Sequence, residues 1–220
     1  GAAATSLYGS RGAGGVILMT TKKGRKRVKD NVEVVSSYSM VEVNRLPEFQ
    51  NTYAQGAGGL YVTNNASSWG PLIMGQTVTN YFGKSEQLAA YPNNVKDIFQ
   101  KGYSAQNSIS FSGGSDKTTY RLSYNNTQET YVLRNNKLSK NGLTLNLNSE
   151  LTSKLTASAF LNYNNTASNR TQQGNQLSNP IFRAWFIPRS YDLTKLPYYD
   201  AAGNEWFYGS EDNPYWSMDN

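Results

Sequence analysis

Five segments of this chain alternate apolar and polar side chains with period two, and that periodicity constrains its fold more than any other feature. In the first, Val32, Val34, Ser36, Tyr38 and Met40 share one face. In the second, Ile109, Phe111 and Gly113 alternate with Ser108, Ser110 and Ser112; in the third, Tyr120, Leu122 and Tyr124 alternate with Arg121, Ser123 and Asn125. The fourth sets Leu143, Leu145, Leu147 and Leu151 against Thr144, Asn146, Asn148 and Glu150. The fifth sets Leu155, Ala157, Ala159, Leu161 and Tyr163 against Thr156, Ser158, Asn162 and Asn164, with Phe160 the exception. Successive side chains of a strand point to opposite faces, so each segment reads as a strand with one apolar face. With its flanks each could reach about 11 residues, longer than the roughly 5–6 of soluble strands and close to a tilted membrane strand.

The connections alternate too. Only Gly114-Ser115-Asp116-Lys117 separates the second and third segments, and only Thr152-Ser153-Lys154 the fourth and fifth. By contrast, residues 44 to 102 separate the first two, and residues 166 to 220 follow the fifth. About a dozen residues are expected between the third and fourth, completing a short and long rhythm that suits an outer-membrane barrel with tight turns at one rim. The expected fold class is therefore all-β, an antiparallel transmembrane β-barrel. A soluble β-sandwich would have less reason to confine its long insertions to one end.

Composition agrees. Hydrophobic residues make up 38% and charged residues 16%, against about 45–50% and 25% in soluble domains. Strands that show lipid on one face and a wet lumen on the other need that mixture. Cysteine and histidine are absent, which removes disulfides, thiolate zinc sites, thiol nucleophiles and histidine-dependent catalysis. An enzyme is not expected, nor a metal site or cofactor. The net charge of +6 and pI of 9.3 raise nucleic acid as a partner, but the excess is local: Lys22, Lys23, Arg25, Lys26, Arg27 and Lys29. With no interleaved aromatics to stack bases, this run reads better as a solvated linker or domain boundary than as a nucleic-acid patch. No run of about 18 apolar residues offers a membrane helix, and no signal peptide precedes Gly1. Because Gly1 opens in the middle of a motif, the chain is expected to be a fragment.

That motif begins with small residues leading to Leu7-Tyr8, followed by a glycine-rich turn and an apolar stretch, Val16 to Thr21, expected as a strand. A phosphate-cradling loop would follow a strand and open a helix, the reverse of this order, so a structural turn is favoured over nucleotide binding. Pro92-Asn93-Asn94 should turn the chain into a short helical stretch, Val95 to Phe99. The long loops carry Trp69, Tyr81, Phe82, Tyr91, Trp185, Trp206, Tyr208 and Trp216 among neutral polar residues. Such surfaces suit carbohydrates or peptides, through ring stacking and neutral hydrogen bonds. Taken singly, each aromatic is better explained by packing loops together.

The opening residues resemble the plug-terminal motif of SusC-like transporters, the TonB-dependent importers of Bacteroidetes-type bacteria. Gly1-Ala2-Ala3-Ala4, Leu7-Tyr8-Gly9-Ser10-Arg11-Gly12-Ala13, Gly15-Val16-Ile17 and Thr20-Thr21-Lys22-Lys23-Gly24 carry the likeness. Where the family commonly has Asn before the glycine that opens the strand, this chain has Gly14, and both residue types tolerate positive φ. Asn107 to Gly114 followed by Thr118 to Tyr124 is similar to the family's early barrel hairpin; Leu46-Pro47, Ser178-Asn179-Pro180 and Asn213-Pro214-Tyr215-Trp216 are similar to its loop elements.

The resemblance implies a parent barrel of about 22 strands with an N-terminal plug in its lumen. Residues 1–24 would end the plug, 25–30 form a basic linker, and 31–220 supply the first strands and extracellular loops. It implies import of oligomeric nutrients, glycans and in some members peptides, across the outer membrane of a Gram-negative bacterium. A SusD-like surface lipoprotein would act as lid, and TonB would act through an N-terminal segment upstream of this chain. Partners would then be that lipoprotein, TonB, an oligosaccharide or peptide substrate and outer-membrane lipid, with no nucleic acid. The plug motif comprises Leu7, Tyr8, Gly9, Ser10, Arg11, Gly12 and Gly15. Candidate substrate contacts are Arg11, Trp69, Tyr81, Trp185 and Trp206, with Arg11 equally a plug–barrel ion pair. Two alternatives stand beside this: a lidless importer of metal chelates or vitamins, and a soluble β-rich glycan-binding adhesin. The adhesin would have to bury Leu143, Leu145, Leu147, Leu155 and Leu161 against a second sheet.

Overall fold

The computed structural model describes residues 2–17, 21–172, 174, 179–209 and 211–219. In chain order these form α1 (Ala2–Tyr8), a 3-10 turn (Gly9–Gly12), β1 (Val28–Val41), β2 (Gly56–Ala57), β3 (Leu60–Tyr61), β4 (Thr77–Thr79), β5 (Ser85–Gln87) and α2 (Asn94–Asp97). There follow β6 (Gly102–Gly114), β7 (Thr118–Thr130), β8 (Lys137–Thr152), β9 (Leu155–Asn169), α3 (Pro180–Phe186), β10 (Phe207–Tyr208), β11 (Glu211–Asp212) and α4 (Pro214–Asp219).

The five alternating segments become one sheet in the order β1-β6-β7-β8-β9. Facing side chains show that neighbours run antiparallel, since numbers fall on one strand as they rise on the next. Ser36 meets Asn107 and Glu33 meets Ser110; Thr118 meets Ser149 and Gln128 meets Ser139; Thr144 meets Asn162 and Asn148 meets Ser158. Strands of 13 to 16 residues exceed the expected length. The extension shortens the expected connection between the third and fourth segments to residues 131–136. The two tight turns fall where expected, at residues 115–117 and 153–154.

The chain divides into two compact units. The first comprises residues 1–34, 108–124 and 142–163. Its strands bare one apolar face, with Val34 69%, Phe111 47%, Leu147 38% and Leu161 52% exposed, and Leu143 and Leu155 exposed beside them. Among the described residues no second layer covers this face, so the burial that an adhesin requires is missing. The opposite face carries cross-strand polar contacts. Arg121 bridges Glu33 at 3.0 Å and Ser110 at 2.8 Å, and Asn148 accepts from Ser158 at 2.9 Å.

At the start of the chain the small-residue stretch is helical, as alanine's helix propensity allows, and the strand expected after it needs correction. Val16, Ile17 and Thr21 are not strand, and residues 18–20 of that expected strand lie outside the described residues. A strand needs a ladder partner, and none of the sheets takes up Val16 or Ile17, which is 86% exposed.

The second unit comprises residues 35–107, 125–141 and 164–220. Its strand segments face each other with neutral polar pairs, Asn126 on Asn141 and Gln128 on Ser139, both at 2.8 Å. Here the long connections fold rather than wander. Val95, Ile98, Leu133, Ala184 and Met218 form one buried cluster, with Leu46, Phe49 and Tyr215 against it. Ile187, Tyr191, Leu193, Leu196 and Tyr208 form another. Burying side chains of this size contributes about 1.5–3 kcal/mol each, enough to hold loops that have little regular structure. The helical turn expected after Asn94 is α2. The tail, expected as loop, contains α3 and α4, each begun by an Asn-Pro pair. Asn179 accepts hydrogen bonds from the Ile181 and Phe182 amides, and Asn213 from the Tyr215 amide. Proline at the first helical position gives up an amide that would have had no partner. No helix among the described residues is long and apolar enough to cross a membrane.

Candidate functional site

Two places gather the residues singled out in the sequence. In the second unit the long connections assemble an aromatic cluster. Tyr81 packs edge-on against Trp206 at 4.3 Å and Phe82 at 5.5 Å, and lies 5.2 Å from Tyr208, which in turn lies 5.5 Å from Tyr191. Tyr208 is fully buried and donates to the Pro197 carbonyl at 3.0 Å. The Tyr191 hydroxyl donates to the Thr63 carbonyl at 2.9 Å and accepts from the Asn65 amide at 3.1 Å, tying the first long connection to the tail. Burial pushes the Tyr191 hydroxyl up to about 12 and raises Tyr81 and Tyr208 as well, so all three keep their protons at physiological pH. The Tyr81 hydroxyl is shut from solvent with no partner among the described residues.

Beside this cluster is a cavity of about 220 Å³ walled by Gln55, Tyr61, Tyr81, Tyr91, Ser190 and the Asp192–Lys195 ion pair. Gln55 is 2% exposed; its amide nitrogen donates to Ser190 Oγ at 2.8 Å and its Nε2 to the Tyr61 hydroxyl at 3.1 Å. Ring edges and neutral hydrogen-bonding groups surround one ion pair and the Glu86 carboxylate, which accepts from Asn80 at 2.7 Å, so the lining suits a polar ligand group that is not anionic. Among the described residues no cluster of three carboxylates could hold a metal ion.

Charge enters the same unit at two buried arginines. Arg183 is 3% exposed; it meets Asp212 through Nε at 2.8 Å and Glu211 through Nη1. Burial raises the Asp212 carboxyl against the lowering effect of Arg183, and burial followed by the Asp212 charge raises Glu205. Arg189, also 3% exposed, donates to the carbonyls of Ala184 at 2.6 Å and Ile187, and lies 4.9 Å over the Phe49 ring. It thereby satisfies the C-terminal carbonyls of α3. Burial lowers Arg189 to about 10, which leaves it charged at neutral pH. Sequence reasoning missed both arginines. The Asn-Pro caps were readable signals for the helices around them, but nothing in the spacing joins position 183 to 211 and 212.

The structure places the candidate aromatics in different situations. Tyr81 and Trp206 touch each other inside the cluster. Trp69 is 73% exposed although its backbone is held, its amide bonding the Gly56 carbonyl and its carbonyl accepting from Gly59. Trp185 is 42% exposed, its ring 6.4 Å from Phe49. In the first unit Leu7 and Tyr8 are exposed, Gly9 has a φ of 67°, Ser10 and Arg11 are exposed, and Gly12 is buried. Arg11 makes no ion pair with a described residue, and Gly15 also has positive φ, at 105°.

The basic run that follows keeps its side chains exposed while touching the sheet at several points. β1 already begins at Val28. Residues 22–27 lie against the polar face of the sheet, where Asn146 Nδ2 donates to the Lys22 carbonyl at 3.4 Å. Lys26 pairs with Glu150, and Arg27 pairs with Asp116 at 2.5 Å.

No family model matches the chain. TonB-dependent receptor P3 of Formosa agariphila is 30% identical over 70% of this chain and 13% of its own length. TonB-dependent receptor SusC of Bacteroides thetaiotaomicron is 26% identical over 66% of the chain and 13% of its own length. TonB-dependent receptor P26 of Formosa agariphila is 27% identical over 74% and 16%. Solved structures share the fold as well. The RagAB peptide transporter superposes with a TM-score of 0.65 and 21% identity, covering 99% of this chain and 27% of that one. The RagAB peptide importer in its open-open state gives 0.64 and 22%, covering 98% and 27%. The chain thus spans about a sixth or less of these curated relatives and about a quarter of the solved chains. In sequence this chain is similar to TonB-dependent receptors, SusC among them, and in fold it is similar to about a quarter of the RagAB transporter chain.

Proposed function

We propose that this chain supplies the end of the plug, the first wall strands and part of the loop head of a TonB-dependent outer-membrane importer. Its cargo is oligomeric nutrient, glycan or peptide, and it works with a SusD-like surface lipoprotein as lid. The observation that carries this reading is the two-faced sheet: an exposed apolar face with no covering layer suits lipid, and the basic run lies on the opposite, polar face, which suits a wet lumen occupied by a plug. Relatives named as receptors and importers, with no enzyme among them, point the same way. Residues 1–24 belong to the plug and residues from 31 to the barrel. Trp69 and Trp185, whose rings stand out from the loops, are the lid or cargo contacts; Tyr81 walls the cavity and packs on Trp206 behind it. Arg11 presents its charge from the plug surface.

The test is to extract the receptor carrying this sequence from native outer membranes in mild detergent and identify by mass spectrometry what accompanies it. A stoichiometric surface lipoprotein supports the lidded importer. A barrel recovered alone, reproducibly and at low detergent, overturns the lid and favours an importer of small chelates.

A further inference from the structure

The cavity beside the aromatic cluster has walls that are fixed by their own hydrogen bonds. On one side is the β4–β5 hairpin, where Asn80 Oδ1 accepts from the Phe82 amide at 2.9 Å and the Lys84 amide at 3.0 Å. Asn80 Nδ2 also donates to Glu86 at 2.7 Å. On the other side are residues 190–196, where Asp192 Oδ1 accepts from the Thr194 amide at 3.1 Å and Lys195 Nζ meets Asp192 at 2.7 Å. Tyr91 is tied to that second side by its amide, which donates to the Arg189 carbonyl at 2.7 Å. Gln55 and Ser190, 2% and 6% exposed, form the floor, whereas Phe82, Glu86 and Lys195 are exposed at the mouth.

Hydrogen-bonding capacity of both kinds is left over around this space. Among the described residues the Tyr91 hydroxyl meets no partner, and the Tyr61 hydroxyl accepts from Gln55 Nε2 at 3.1 Å without donating in turn. Glu86 accepts from Asn80 through one oxygen and pairs with no described cation. The rings of Tyr61, Tyr81, Phe82 and Tyr91 supply apolar surface between these groups. We propose that the cavity is a subsite for one neutral six-membered sugar unit of an oligosaccharide, whose remaining units lie outside the mouth. A sugar ring matches such a wall: nearly every corner carries a hydroxyl, donor and acceptor at once, and its C–H faces stack on aromatic rings. An amino-acid side chain offers one polar end or none and leaves most of these groups unmet. The volume of about 220 Å³ falls short of the roughly 300–1,000 Å³ of pockets for drug-sized ligands, so a single unit fits. Charge sets the neutrality. Two carboxylates, Glu86 and Asp192, stand against one ammonium, Lys195, so an acidic sugar is repelled. Walls already ordered lose little freedom on binding. The inference rests on the import reading and narrows its cargo to glycan, but binding is measured apart from transport.

The test is calorimetric titration of the full-length receptor, as it comes from the membrane in detergent, with short oligomers of defined charge. The neutral probes are tetrasaccharides of glucose, mannose, galactose, xylose or N-acetylglucosamine. The others are the tetramer of galacturonic acid, the tetramer of glucosamine and a pool of tetrapeptides. At least one neutral tetrasaccharide should bind, and the galacturonic acid tetramer should bind about tenfold more weakly or worse. Tyr91→Phe should weaken the neutral sugar about fivefold and Glu86→Ala about tenfold, with the melting temperature unchanged. If Glu86→Ala melts lower, Glu86→Gln, which still accepts from Asn80, takes its place beside Tyr91→Phe. Four outcomes overturn the subsite: no neutral sugar binds, its affinity is unmoved by both variants, the acidic or the amino sugar binds more tightly, or tetrapeptides are the ligands that the variants weaken. Uptake by cells separates this from the import reading. A receptor that carries no oligomer inward, yet binds sugar through Tyr91 and Glu86, keeps the subsite and loses the import reading. Glycan uptake with an affinity that neither variant moves does the reverse.

Discussion

Arg183 illustrates how much one buried residue decides. Its guanidinium meets Asp212 and Glu211 inside the loop head, and Glu205 lies near the same group. Removing the cation leaves one buried and one largely buried carboxylate without it. Breaking a buried pair in this way costs about 3–5 kcal/mol, far more than a surface pair contributes. Arg183→Met should therefore loosen the tail, and limited proteolysis of intact cells should cut within residues 180–219 while the barrel stays resistant. The carboxyls of Glu205 and Asp212 predict a pH dependence as well. Both are raised above their ordinary values of 4.5 and 3.8, first by burial. The folded head then binds more protons than the unfolded chain does, so its stability is full below the ordinary carboxylate values and declines as pH rises through the raised ones. Hydrogen exchange at residues 205–212, corrected for intrinsic rates, should be faster at neutral pH than just above 4.5, and Glu205→Gln should flatten that slope. The opposite slope would mean that Arg183 outweighs burial.

At the scale of the element, α3 is a short helix with strong punctuation at both ends. Asn179 caps its start and Arg189 its finish. Asn179→Ala should destabilise the head by about 1 kcal/mol, read as a lower loop-melting temperature by exchange. The strands are governed by face instead. Leu147 stands on the apolar face and Asn148 on the polar one. Leu147→Arg should cost about 2–4 kcal/mol if it meets the bilayer midplane, whereas Asn148→Arg should be tolerated; heat-modifiable migration of the folded barrel measures both. The strands and tight turns were legible because period two survives whatever surrounds it. Gly114 to Lys117 reads as a turn in any context. The head was less legible. Its order comes from pairings such as Tyr191 with Thr63, Arg134 with Asp219 and Arg183 with Asp212, distant in sequence and marked by no spacing. The expected strand at Val16 failed for a related reason, because alternation and apolarity do not supply a partner. Of the candidate aromatics, chemistry could name Tyr81 and Trp206, but only the fold could bring them to 4.3 Å.

For the molecule as a whole, the arrangement of its strands matters more than any single contact. β1 and β9 are the outer members of the five-stranded sheet, and every residue of β9 is exposed. An edge of that length, with exposed apolar side chains, offers unpaired amides and carbonyls to any other strand. In a bilayer those groups have no water to turn to, and only closure into a barrel satisfies them. The two compact units also have different solvents to satisfy. The first bares an apolar face, while the second buries its apolar clusters and carries neutral polar pairs on its strands. Neither water nor lipid alone suits both. These 220 residues, expressed by themselves, should therefore aggregate on refolding in water and should give no heat-modifiable, protease-resistant species in detergent or liposomes. Size-exclusion chromatography with light scattering and proteolysis in liposomes make the check. A monomer that stays soluble and melts sharply would mean that the apolar face finds a cover within this chain, which the exposure of Val34, Phe111, Leu147 and Leu161 argues against.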